Sequence, residues 1–85
     1  MKLTARQKQI ILAMRNGETL VKKVCYHPGG RTSTKYFIDG HSLKDSIFLF
    51  LLSKGLISVL DITDAYSITV TYELTELGLT IDLEK

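Results

Sequence analysis

The chain is short of the residues that fasten small secreted or metal-bound folds. It has one cysteine, Cys25, so no internal disulfide can form and no oxidising compartment is needed. Its two histidines, His27 and His41, do not combine with that cysteine into a zinc pattern of paired Cys and His ligands. The longest unbroken apolar run, Ile47 to Leu52, is six residues, against about 20 for a membrane span. The start, Met1 to Lys8, lacks the apolar centre of a secretory signal. Linkers, repeats and low-complexity tracts are also lacking. These absences predict a single domain over residues 1–85 that is cytoplasmic, binds no cofactor or metal and makes no membrane contact.

Catalytic patterns are equally sparse. Gly29-Gly30-Arg31 is not embedded in a phosphate-loop or dinucleotide fingerprint and reads as a turn. Cys25 has no base near it in sequence to activate it, so it reads as a structural thiol. Asp61 and Asp64 are spaced like paired acids but fall in what reads as a polar turn, Ile62-Thr63-Asp64-Ala65, with no flanking ligands. No enzyme is expected.

What the chain does have is an ordinary globular composition, 45% hydrophobic and 24% charged over 85 residues, and a strong charge asymmetry. Residues 1–54 carry ten Lys/Arg against three acids, and residues 55–85 carry one Lys against six acids. A net charge of +2 therefore conceals a basic front and an acidic back. Two readings stay open: the halves attract each other, or the front is a functional basic face.

Turn signals divide the chain into elements. Thr4-Ala5-Arg6-Gln7 fits a capping box, Leu3, Gln7, Ile10, Ile11 and Met14 recur at helical spacing, and Gly17 suits a helix stop. Leu12 points away from that stripe. Thr19 to Tyr26 and Thr32 to Ile38 read as strands joined by the turn His27-Pro28-Gly29-Gly30, with Asp39-Gly40 ending the second. Ser42 is placed to cap a second helix over Leu43 to Lys54, which Gly55 stops. Leu56 to Asp61 and the alternating Ser67 to Leu74 form a second hairpin, and Thr75-Glu76-Leu77-Gly78 opens a short final helix. The expected fold class is α+β, in the order helix, hairpin, helix, hairpin.

That order brings a resemblance. Gly55-Leu56-Ile57 after a helix, a two-stranded wing, and then Tyr72-Glu73-Leu74-Thr75-Glu76-Leu77-Gly78 resemble the close of winged-helix regulators of the MarR and PadR type, over about residues 43–78. The opening Leu3-Thr4, Gln7-Lys8 and Gly17 are similar to the YjhX-type family of small bacterial toxins. The winged-helix resemblance implies a small winged-helix-like domain, a DNA-binding transcriptional regulator that docks a helix in the major groove. The front half differs from that pattern, because residues 19–38 read as a hairpin where a helix would precede the recognition helix.

The second helix lacks the residues a groove reader needs. Leu43, Ile47, Phe50 and Leu51 form one face, Phe48 and Leu52 lie roughly opposite, and the narrow polar strip around Leu49 holds serines but no Arg, Asn or Gln. A helix apolar nearly all round is core, or half core and half interface. Phe48, Leu49 and Leu52 are the candidate protein interface, including a homodimer. The candidate nucleic-acid contacts are Arg6, Lys8, Arg15, Lys22, Lys23, Arg31 and Lys35, interleaved with Tyr26, His27 and Tyr36. Two functions are therefore expected in order. The first is a DNA-binding regulator of phage or mobile-element type. The alternative is a protein-binding inhibitor of a host protein complex, such as a phage-encoded anti-defence (anti-CRISPR-like) protein or a toxin/antitoxin-like module.

Overall fold

The computed structural model describes residues 2–64 and 67–83. Along the chain run α1 (Ala5–Arg15), β1 (Leu20–His27), β2 (Arg31–Ile38), β3 (His41–Leu43), α2 (Asp45–Ser53), β4 (Ile57–Asp64), β5 (Ser67–Leu74) and α3 (Glu76–Thr80). The five strands form one antiparallel sheet in the order β3-β2-β1-β5-β4.

This overturns the winged-helix-like order expected from the sequence. The second hairpin is not a separate wing. β5 pairs with β1 over six rungs, from Leu20 opposite Tyr72 to Cys25 opposite Ser67, so both hairpins merge into a single sheet. The reason lies in β5: its alternation gives it one apolar face, which is buried only when a neighbouring strand and the helices continue the layer.

Local chemistry accounts for most boundaries. Thr4 caps α1 as a complete capping box: its hydroxyl accepts from the Gln7 N–H (3.2 Å), and the Gln7 side chain accepts from the Thr4 N–H (2.8 Å). Asp39 and Gly40 both have positive φ (49° and 77°), and Ile38 pairs with His41 across them. That is a two-residue hairpin turn of the type that requires left-handed backbone at both central positions. Asp39-Gly40 therefore does not end the pairing; it starts the short strand β3. Ser42 accordingly sits in β3 and caps nothing, and α2 begins at Asp45 after Lys44, whose side chain makes no capping bond. β4 also runs beyond its expected end at Asp61. Ile62, Thr63 and Asp64, expected in a turn, pair with Val70, Thr69 and Ile68. Ala65 lies outside the described residues.

The core sits on one face of the sheet. Every buried strand residue (Leu20, Ile38, Leu43, Ile57, Val70 and Tyr72) shares that face by register, and it meets Ile10, Ile11 and Met14 of α1 and Phe48 and Leu51 of α2. Phe48 is the centrepiece. Its ring stacks on Tyr36 of β2 (4.2 Å between centroids) and meets Tyr72 of β5 edge-on (4.9 Å), so one residue ties both hairpins to α2. Burial holds the Tyr72 hydroxyl in its neutral form, with nearby Tyr36 acting the same way, and its pKa is raised.

All three helices join the sheet at the end marked by Leu20, Ile38, Ile57 and Leu74. The β1–β2 turn and the start of β5 lie together at the other end, where Cys25 pairs with Ser67. The molecule measures 47 × 21 × 21 Å, a helical body with a projecting sheet.

Candidate binding surfaces

Within the motif that carried the winged-helix resemblance, Thr75 and Gly78 hold the fold together. Thr75 caps α3 by accepting from the Gly78 N–H (3.2 Å), and its hydroxyl donates to the Gly55 carbonyl. Its own N–H donates to the Leu56 carbonyl (3.0 Å). Gly78 has to be glycine because a Cβ there would overlap the Leu56 carbonyl oxygen and the Leu74 side chain. The segment is a joint that folds α3 back onto the start of β4.

Arg15 belongs to the same joint. Its Nε and Nη2 donate to the Gly78 carbonyl (3.3 and 3.1 Å) and its Nη2 to the Ile81 carbonyl (2.7 Å). The guanidinium satisfies carbonyls left open in and after α3 and is thereby withdrawn from the proposed nucleic-acid contacts. The other cations separate into three groups. Arg6 and Lys8 lie on α1, where Arg6 Nη1 donates to Gln9 Oε1 (2.9 Å). Lys22 lies on the helix-covered face of the sheet, in register with Tyr36 and Val70. Lys23, Lys35 and Arg31 share the opposite face with His27, whose Nε2 is 2.8 Å from Ser33 Oγ.

The helix-free face is a different kind of surface. It carries Val21, Lys23, Cys25 and His27 of β1, Arg31, Ser33, Lys35 and Phe37 of β2, and Ser67, Thr69 and Thr71 of β5. None of these residues is fully buried. Lys23 stands directly across from Lys35, with Thr69 as its neighbour on the other side. Its ammonium group lies 5.6 Å from the centre of the Phe37 ring.

The three residues expected at a protein interface divide by burial. Phe48 is core and offers no contact surface, whereas Leu49 and Leu52 face outward. The period of α2 explains the correction: Phe48 and Leu51 are the residues turned to the sheet, with Ile47 and Phe50 flanking them. The exposed positions of α2 are Asp45, Ser46, Leu49, Leu52 and Ser53, and no Arg, Asn or Gln is among them.

A larger apolar surface was missed by sequence reasoning. β4 is an edge strand of the sheet, and Val59, Leu60 and Ile62 on it are 50, 58 and 60% exposed. A bulge between Val59 and Asp61 puts Leu60 out of phase. Leu60 also borders a shallow depression with Met14, Leu74 and the exposed Leu79 of α3. Asp61 and Asp64 lie on the same strand but on opposite faces, so they are not a paired-acid site. The alternation in Ile57, Val59 and Ile62 was the available signal, and the extra residue at Leu60 masked it.

Among the described residues, no group of three or more His, Cys, Asp or Glu could hold a metal ion, and no helix is long and apolar enough to cross a membrane. Cys25 is half-buried on the helix-free face. The chain matches no family model, curated protein or solved structure.

Proposed function

We propose that this protein is a non-enzymatic binding module whose main partner is another protein, engaged by strand addition along the outer edge of β4. The observation that carries this reading is the eight-residue edge strand with Val59, Leu60 and Ile62 half exposed or more. An edge strand presents unpaired N–H and C=O groups, and proteins normally guard such edges with charge, proline or very short strands. A bulge and two aspartates are the only guards on β4, and its apolar side chains remain open.

The charge of the strand selects the occupant. Val59 and Ile62 lie on one face, and Asp61 with Thr63 on the other. A partner segment in extended form, alternating apolar and basic residues, would place apolar groups beside Val59 and Ile62 and cations beside Asp61. This favours the inhibitor-type alternative over the transcriptional regulator. The regulator reading loses Arg15 to the α3 joint, and α2 presents no groove-reading side chains.

The test uses a labelled short peptide alternating lysine and valine, followed by fluorescence anisotropy, with a glutamate–valine peptide of equal length as control. The lysine peptide is expected to bind saturably, and Val59→Lys with Ile62→Lys to abolish binding. Equal binding of the glutamate peptide, or retention by the double variant, would reject the reading. A concentration-dependent dimer in light scattering that the same variant dissolves would reject it in favour of a second copy at the edge.

A further inference from the structure

The helix-free face of the β1–β2 hairpin points to a second binding surface, and we infer that it contacts the phosphate backbone of nucleic acid. This stands apart from the β4 edge: it lies on a different pair of strands and rests on different residues. Three features of the face carry it.

The first is the rung of Lys23 against Lys35. Like charges directly opposite each other in an antiparallel pair weaken the sheet. Neither lysine has a carboxylate as a cross-strand partner: Lys23 has Lys35 and Thr69, and Lys35 has Lys23. A second rung, four pairs further toward the tip, sets His27 against Arg31. At about 3.3 Å per residue and roughly 4.8 Å between strands, the side chains of these two rungs occupy the corners of a rectangle about 13 Å long and 5 Å wide. The Lys23–Lys35 rung costs stability in the free protein and, with Arg31 on the same face, is relieved by an anion with several charges in a row.

The second feature is what surrounds the cations. Ser33, Ser67, Thr69 and Thr71 share the face, and hydroxyl donors of this kind complement phosphate oxygens. Among the described residues the face has no exposed aromatic ring, since Phe37 is half-buried beside Lys23 and Tyr26 belongs to the opposite face. Base stacking is therefore not offered, and the contact is to backbone with little sequence choice. The same lack of exposed large apolar side chains argues against insertion into a lipid surface.

The third feature is position. The rungs lie on the projecting end of a 47 Å molecule, away from the helices. Of the acids on this face, Asp61 is separated from β1 by the whole of β5, and Glu73 lies at the helical end beyond the rung of Leu20 and Tyr72. The cationic tip is thus open to a long, stiff polyanion.

Lys22 and Lys23 are chain neighbours on opposite faces, which supplies an internal control. A labelled short DNA duplex is titrated by anisotropy over a range of salt concentrations. The expected result is a linear fall of log K with log salt, at about −0.9 per phosphate contacted. The Lys23→Gln, Lys35→Gln double variant should flatten the slope by about 1.8, the loss of two contacts, and Lys22→Gln should leave it unchanged. Thermal melts confirm that each variant is folded. No binding at low salt, or an equal loss in Lys22→Gln, would overturn the inference. Binding of polyglutamate as tightly as of duplex would overturn it in favour of an acidic protein.

Discussion

The two hairpins start from the same architecture and end with opposite surfaces. β1–β2 carries its charge as cations and guards its outer edge: β3 covers Tyr36 to Ile38, and the rest of β2 bears Arg31, Lys35 and small polar residues. β4–β5 carries acids and leaves Val59, Leu60 and Ile62 on an edge that no strand among the described residues covers. Charge on an edge prevents unwanted pairing, so the difference separates a hairpin built to stay apart from other strands from one open to them. The front-to-back charge asymmetry of the sequence becomes a side-to-side asymmetry of one sheet.

The comparison can be broken at its hinge. Phe48 touches both hairpins through Tyr36 and Tyr72, so Phe48→Ala should loosen both together. The expected cost is about 3–5 kcal/mol, enough to unfold a chain of this size, read as loss of a cooperative thermal transition. Gly78→Ala acts on one side. It drives a methyl group into the Leu56 carbonyl and should cost about 1–3 kcal/mol in chemical denaturation. Hydrogen exchange should show its loosening centred on β4, β5 and α3, with β1 and β2 less affected. Lys35→Thr acts on the other side with the smallest effect and the opposite sign. Relief of the Lys23–Lys35 rung should stabilise the fold by about 0.2–1 kcal/mol, a small rise in Tm. A fall in Tm would mean that the lysine stem packs well enough to outweigh the repulsion.

What could be read from the sequence was what local chemistry decides. The capping box of α1 and the alternation in β5 define their elements without help from the rest of the chain. β3 is hidden in the sequence because Asp39-Gly40 reads as a stop, although a residue pair that accepts positive φ twice also makes the tightest hairpin turn. The end of β4 was hidden by the bulge, which shifts Leu60 out of the two-residue period. The orientation of α2 was not legible, because a helix apolar on nearly every side gives no phase; only the two tyrosines of the sheet select Phe48 as the inward residue.

The surfaces were less legible than the elements. Seven cations counted along the chain look like one basic face. Strand register divides them, placing Lys22 and Lys23 on opposite sides, and the α3 joint removes Arg15 altogether. Neither effect has a local signature, because each depends on which distant segment lies alongside.

The direct test of two distinct surfaces is a pair of NMR titrations of the isotope-labelled protein, one with the lysine–valine peptide and one with a DNA duplex. The peptide should move the amide signals of Ile57–Asp64, and the duplex those around Lys23, Arg31 and Lys35, with little overlap. Shifts that fall on the same residues for both ligands, or that centre on α2, would contradict the account.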